Sequence, residues 1–216
     1  AGRGSTRPRG EPIRTCGIYG QNCRSISSII TRTDDKSDDV IVAKPFTVKS
    51  FVTVLVTGVT GFTGGQLARY LGRQGFRVRG LVRPSSQARG LDLEVENIIH
   101  VVGDLTDRAS LDSACRDIDV VYHIAASYRR AGQTDDAYRA INVTGTSNLL
   151  QAAQAAGVRR FVHCSTGGVH GHIEHPPASE DAPLEPGDIY QVTKLEAECL
   201  ARETGAQTDL DVVIVR

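Results

Sequence analysis

Residues 57 to 64 read Thr-Gly-Val-Thr-Gly-Phe-Thr-Gly, with glycines at 58, 61 and 64. The segment follows the apolar run Val52-Thr53-Val54-Leu55-Val56 and precedes a helical pattern over 66–75 that closes on Gly75. A glycine pattern alone is weak evidence, but strand, glycine turn and helix in this order give it a mechanism. Gly58 suits the tight turn, Gly61 lets the backbone approach a pyrophosphate, and Gly64 lets the helix pack close to the sheet. The phosphates would then meet free N–H groups where the helix dipole also favours an anion.

The alternation continues downstream, with strands expected over 76–82, 98–102, 120–125, 161–165 and 210–215, and helices over 109–115, 138–156 and 190–203. Short, nearly all-apolar strands separated by helices indicate a parallel sheet covered on both faces, joined by right-handed crossovers. The expected fold class is α/β, a doubly wound parallel sheet of the Rossmann NAD(P)-binding type.

Other classes are disfavoured. Lys plus Arg and Asp plus Glu both number 25, so there is no net field to hold a polyanion, and a small-molecule substrate is expected rather than nucleic acid. Cys16, Cys23, Cys115, Cys164 and Cys199 are scattered without a close pair, which reads as reduced thiols in a cytoplasmic protein. No apolar run approaches the roughly 20 residues of a membrane-spanning helix. His163, His170, His172 and His175 lack the carboxylate and histidine spacing of a known metal site, so no metal is expected. Residues 1–47 mix Arg with Gly, Ser and Pro before the acidic cluster Asp34, Asp35, Asp38 and Asp39. They are expected to form a disordered or non-native leader, with an organellar transit peptide as the alternative, and the folded domain is placed at 48–216. The chain contains no Met, even at position 1, which makes its ends look incomplete.

The end of the second strand bears on the cofactor. Many NAD sites place an acid there for the adenosine ribose, whereas Arg can pair with the 2′-phosphate of NADP. Here Val82 and Arg83 hold that position, which favours NADP over NAD, the other reading being a solvated loop charge. Asp104, in Gly103-Asp104-Leu105-Thr106-Asp107, is a candidate contact to the adenine amino group, or alternatively a helix cap.

Tyr190 and Lys194 are four residues apart, on one face of the helix expected at 190–203. A nearby ammonium is expected to lower the phenol's pKa and so fit Tyr190 for proton transfer with a substrate hydroxyl or carbonyl. The strand at 161–165 ends in Ser165 and Thr166, at the sheet edge where ligands bind in such folds, and either hydroxyl is a candidate partner for the reacting oxygen.

In order, the segments at 57–64, 103–107, 122–127, 141–146, 164–171 and 190–194 resemble the extended short-chain dehydrogenase/reductase family, specifically its NAD-dependent epimerase/dehydratase branch. The resemblance runs from about residue 51 to 216. It implies Tyr190 as general acid/base, Lys194 as holder of the nicotinamide ribose, and Thr166 as the hydroxyl facing the substrate oxygen. It implies a cofactor lined by Gly58, Thr60, Gly61, Phe62, Thr63, Gly64, Arg83, Asp104, Leu105, His123, Ala125, Ala126, Asn142, Ser165 and Lys194. The implied reaction is hydride transfer at a carbinol or carbonyl carbon, with a nucleotide sugar as expected substrate. An NADPH-dependent dihydroflavonol-reductase-like carbonyl reductase and a non-catalytic nucleotide sensor are the alternatives. A homodimer is implied too. The chain stops where family members continue into a substrate-binding lobe, so a fragment inactive by itself is expected.

Overall fold

The computed structural model describes residues 51–86, 98–128 and 132–216; the expected leader at 1–47 lies outside the described residues. In chain order the elements are β1 (Thr53–Thr57), α1 (Phe62–Arg73), β2 (Arg77–Val82), β3 (Ile99–Val102), α2 (Arg108–Ala114) and β4 (Val120–His123). There follow α3 (Asp135–Arg139), a π turn (Ala140–Thr144), α4 (Gly145–Ala155), β5 (Arg160–Cys164), α5 (Ile189–Gln207) and β6 (Asp211–Val215), with 3-10 turns at Pro84–Ser86 and Gly167–His170. All strand pairings are parallel, in the order β3-β2-β1-β4-β5-β6. That order reverses direction between β1 and β4, which opens a crevice beyond the carboxyl ends of those strands, where ligands bind in doubly wound sheets.

Alternation along β1 divides the core. Leu55 points into one layer with Val121, Phe161, Leu111, Leu149 and Leu150, while Val54 and Val56 point into the other with Val78, Val82, Ala68 and Leu71. Successive strand residues face opposite sides of a sheet, so a strand buried on both sides is apolar on both faces, as Val54, Leu55 and Val56 at the centre of β1 are.

Helix α1 begins four residues before the expected 66, because Gly64 and Gly65 belong to its first turn rather than to the loop. Its end agrees with the glycine stop. Gly75 takes φ 88, and Phe76 N donates to Leu71 O at 3.2 Å, the wrap-around closure that a left-handed residue permits. The segment expected as one helix at 138–156 starts earlier, at Asp135, with the Thr134 hydroxyl accepting from Ala137 N, and carries the π turn within it. Helix α5 starts at Ile189, capped by Asp188, whose carboxylate accepts from Gln191 N at 2.8 Å, and runs through Gly205 to Gln207.

Strand β4 stops at His123, short of the expected Ala125, because a side chain takes over its ladder. The Thr57 hydroxyl accepts from Ile124 N at 3.1 Å and Ala125 N at 3.0 Å. Thr146 donates to Asn142 O at 2.6 Å, so it must accept from His123 Nε2 at 2.9 Å. His123 Nδ1 then accepts from Thr57 Oγ1 at 2.9 Å, closing a chain in which every proton has a place. Burial first, then the charges of His163 and Lys194, hold His123 far below the usual imidazole range and therefore neutral, as this chain requires. Thr57→Val keeps the shape but strands two N–H groups and one imidazole nitrogen. It is expected to lower the unfolding free energy by about 2–3 kcal/mol, read from urea denaturation; an unchanged midpoint would refute this chain.

Candidate active site

One cleft of about 730 Å³ runs along the carboxyl edge of the sheet from α1 to α5, a size suited to a cofactor. Its lining includes Gly58, Thr60, Gly61, Phe62, Thr63, Gly64, Arg83, Asp104, Leu105, Ala125, Ala126, Ser165, Tyr190 and Lys194, all singled out in the sequence.

The glycine loop follows β1 and so lies between the cleft residues after β2 and β3 and those after β4 and β5. Gly58 takes φ 70, and Gly61 N donates to Gly58 O at 2.9 Å, so the loop turns back on itself. A Cβ at Gly64 would lie 2.4 Å from Gly58 O and 2.6 Å from Gly58 C, so the helix meets the turn backbone to backbone. No side chain caps the N-terminus of α1, whose N-cap is Gly61. An uncapped helix start beside a glycine turn, opening into a cleft, fits the pyrophosphate of a dinucleotide. Phe62 stands 85% exposed at its mouth.

At the end of β2, Arg83 is exposed and lines the cleft, and the 3-10 turn after it is tied back by Ser86 N donating to Arg83 O at 2.8 Å. Across from it, Asp104 is no helix cap. Its Oδ1 accepts from Thr106 N at 2.9 Å and Thr106 Oγ1 at 2.8 Å, while the cap of α2 is Asp107, which accepts from Ala109 N. Asp104 therefore shapes the turn that carries Leu105 into the cleft wall.

His123 and Asn142 do not reach the cleft wall; both are buried behind it. The Asn142 side chain accepts from Ser127 N at 2.7 Å and donates to Ser127 O at 3.1 Å and Thr193 Oγ1 at 3.0 Å. It thereby clamps the strand-end loop that carries Ala125 and Ala126 onto α5. The π turn around Asn142 widens the helix at that point, a distortion recurrent at functional sites.

Tyr190 and Lys194 line the same cleft from the first two turns of α5. Lys194 is 3% exposed, and its Nζ donates to Cys164 O at 2.5 Å. Burial draws the ammonium down to about 8. The expectation that Lys194 lowers the Tyr190 pKa is corrected here: burial first, then Cys164, Tyr128 and Asp188, push the phenol above its ordinary value, against a hydrogen bond with Thr166 that pulls it down. The ammonium is committed to the Cys164 carbonyl rather than turned to the phenol. Thr166 does not line the cleft, yet its side chain reaches Tyr190 and accepts from Gly168 N at 3.2 Å. Tyr190 and Lys194 thus share the cleft wall, and Thr166 acts on the phenol from beside it.

Sequence reasoning missed Tyr128, Cys164 and Ile141, which also line the cleft. Tyr128 packs edge-on against Tyr190, with ring centroids 4.7 Å apart. Its signal was its place directly after the segment at 122–127. Cys164 and Ile141 precede singled-out residues, and nothing in their chemistry marks them. Two further histidines sit in the scaffold: His163 is buried in β5, and burial first holds it at about 3, while His170 Nδ1 meets the carbonyls of Ala182 and Pro183. Among the described residues no group of three or more His, Cys, Asp or Glu is placed to hold a metal ion, and no helix is long and apolar enough to cross a membrane.

Comparison with known proteins gives the same direction. The chain is 40% identical over 164 residues to a putative dihydroflavonol 4-reductase of Synechocystis, covering 74% of this chain and 47% of that protein. It is 33% identical over 175 residues to a dTDP-glucose 4,6-dehydratase of Streptomyces antibioticus, covering 76% and 52%. Among solved structures, a short-chain dehydrogenase/reductase superfamily protein of Agrobacterium tumefaciens with bound NAD superposes with a TM-score of 0.67 at 38% identity, covering 76% and 48%. The chain thus spans about half the length of these relatives. The family model for the NAD dependent epimerase/dehydratase family matches residues 54–216, and the chain belongs to that family.

Proposed function

We propose that this chain supplies the dinucleotide site and the proton-handling groups of an NAD(P)-dependent enzyme acting at a carbinol or carbonyl carbon of a nucleotide sugar. One observation carries the reading: a single cleft is lined both by an uncapped glycine-loop helix start and by Tyr190 with Lys194. When bound, the dinucleotide supplies the hydride acceptor or donor. Tyr190 moves the proton at the substrate oxygen, Thr166 hydrogen-bonds that oxygen and the phenol, and the buried Lys194 holds the nicotinamide ribose. The Streptomyces relative, a dTDP-glucose dehydratase, supports a nucleotide sugar. A carbonyl reductase is the second reading, favoured by the higher identity to the Synechocystis reductase. A nucleotide sensor without turnover fits less well, since Tyr190, Lys194 and Thr166 are all present and assembled. A cytoplasmic homodimer belongs to the same reading, testable by sedimentation of the purified protein.

Arg83 favours NADP, because a guanidinium on the cleft wall at the end of β2 can pair bidentately with a 2′-phosphate. Arg83→Asp is expected to lower NADPH affinity by about tenfold to a hundredfold while leaving NADH within about threefold. Fluorescence titration of both nucleotides reads this, and equal loss for both would refute the pairing.

The test of the reaction class is a panel of UDP-, dTDP- and GDP-hexoses and aryl ketones, followed by reduction or oxidation of the bound nicotinamide. Turnover of a nucleotide sugar supports the first reading, and ketone reduction alone supports the second.

A further inference from the structure

Glu198 lies one helical turn beyond Lys194 on α5 and is 1% exposed. A carboxylate withdrawn from water is costly unless its lone pairs are met, and here they are met on both oxygens. Oε2 accepts from Ser165 Oγ at 2.7 Å and Arg216 Nε at 3.2 Å. Oε1 accepts from Arg216 Nη2 at 2.6 Å and Arg202 Nε at 3.0 Å. Arg216 is itself fixed, with Nη1 donating to Glu180 O at 2.8 Å and lying 3.1 Å from His170 Nε2. Burial alone would raise the Glu198 carboxyl, but the hydrogen bonds from Arg216, Ser165 and Arg202 hold it at about 2. An ionised carboxylate has no proton to give, so the proton in the 2.7 Å contact is that of Ser165. A serine hydroxyl has one proton and two lone pairs. Ser165 also lines the cleft beside Tyr190 and Lys194, and toward that space it therefore shows lone pairs alone.

We propose that Glu198 is a positioning residue that makes Ser165 a permanent hydrogen-bond acceptor at the reactive end of the cleft, where it receives the N–H2 of the nicotinamide carboxamide. The inference rests on the dinucleotide reading above. Of the groups a nicotinamide nucleoside brings to that end, the ribose hydroxyls suit the donor Lys194, whereas the carboxamide N–H2 only donates and needs an acceptor. Two adjacent hydroxyls thus divide their work. Ser165 cannot donate to the reacting oxygen, because its proton is engaged by Glu198, and in the reading above Thr166 keeps that role.

The test is a binding measurement on the full chain with three ligands: NAD, its 3-acetylpyridine analogue, in which methyl replaces the carboxamide N–H2, and ADP-ribose, which has no nicotinamide. If NADP is the preferred form, the 2′-phosphorylated counterparts are used. Wild type is expected to bind the carboxamide form about fivefold to tenfold more tightly than the acetyl form. Ser165→Ala is expected to bring that ratio to about one. Glu198→Gln, whose amide can donate to Ser165 and release its proton toward the cleft, is expected to shrink the ratio as well. ADP-ribose monitors the nucleotide site independently, and a merely structural role for Glu198 would weaken all three ligands in parallel. If Glu198→Gln does not fold, as judged by its thermal melt, Ser165→Ala decides alone. A ratio near one in wild type, or one that survives Ser165→Ala, overturns the proposal while ADP-ribose binding leaves the dinucleotide reading standing. Failure of wild type to bind any of the three overturns both.

Discussion

Tyr190→Phe is expected to lower hydride transfer by about 10³-fold while leaving dinucleotide affinity within about threefold. The phenol is the group placed to move the substrate proton, and phenylalanine keeps the ring that packs edge-on against Tyr128 at 4.7 Å. Removing the oxygen also breaks the contact with Thr166. The burial that raises the Tyr190 pKa makes the neutral phenol the resting form, suited to donating a proton to a carbonyl oxygen being reduced. In the reverse direction the phenolate is needed, so oxidation of a carbinol should rise with pH through the alkaline range and lose that dependence in the variant. Single-turnover reduction of bound nicotinamide by a hexose that the panel shows to react, in a form of the protein that carries out that reaction, measures the effect. A variant within tenfold of wild type would remove Tyr190 from the mechanism.

The second large effect lies at the glycine loop. In Gly64→Ala the new methyl group would sit 2.4 Å from Gly58 O and 3.1 Å from Thr57 O, both backbone atoms that cannot rotate away. Relief requires α1 to back off the turn, which carries the loop N–H groups out of position. We expect dinucleotide affinity to fall by at least about a hundredfold and stability by about 2 kcal/mol or more. Gly72→Ala on the same helix is the control. Its Cβ meets nothing within 4 Å, so it should stabilise α1 by up to about 1 kcal/mol and leave binding unchanged. Calorimetric titration with urea melts of both variants reads the contrast, and an alanine at 64 that binds like wild type would mean the close approach is not needed.

The fold was legible because its signals are local. A strand buried on both sides is apolar on both faces, as Val54, Leu55 and Val56 are; a helix that ends on a left-handed residue wants glycine, and Gly75 is there. The errors at element ends have physical causes. Gly64 and Gly65 looked like loop, but glycine is tolerated in a first helical turn when the backbone must come close to another. Strand β4 ends early because Thr57, 66 residues away, accepts hydrogen bonds that a strand would have made elsewhere. The π turn at Ala140–Thr144 left no pattern to read.

For the site, the residues at fixed spacing within a segment are the ones that share the cleft wall: the loop glycines, Arg83, Ser165, Tyr190 and Lys194. What the sequence could not give was orientation. His123 and Asn142 stand in family segments, yet their side chains turn away from the cleft into the scaffold. The direction of the Lys194 ammonium, toward the Cys164 carbonyl, and the engagement of the Ser165 proton by Glu198 depend on contacts 30 and 33 residues apart in the chain. Such pairings follow from the crossover that sets α5 against β5, which no local pattern encodes.

A nicotinamide dinucleotide bound in the cleft between the glycine loop and Tyr190 is the proposal on which the other functional predictions rest. Its most direct test is a titration of the purified chain with NADPH and NADH, following nicotinamide fluorescence. A saturable rise is expected for at least one of them, displaced by ADP-ribose and shifted at least about a hundredfold to higher concentration by Gly64→Ala. A folded, soluble chain that gives no saturable change with either nucleotide would contradict it.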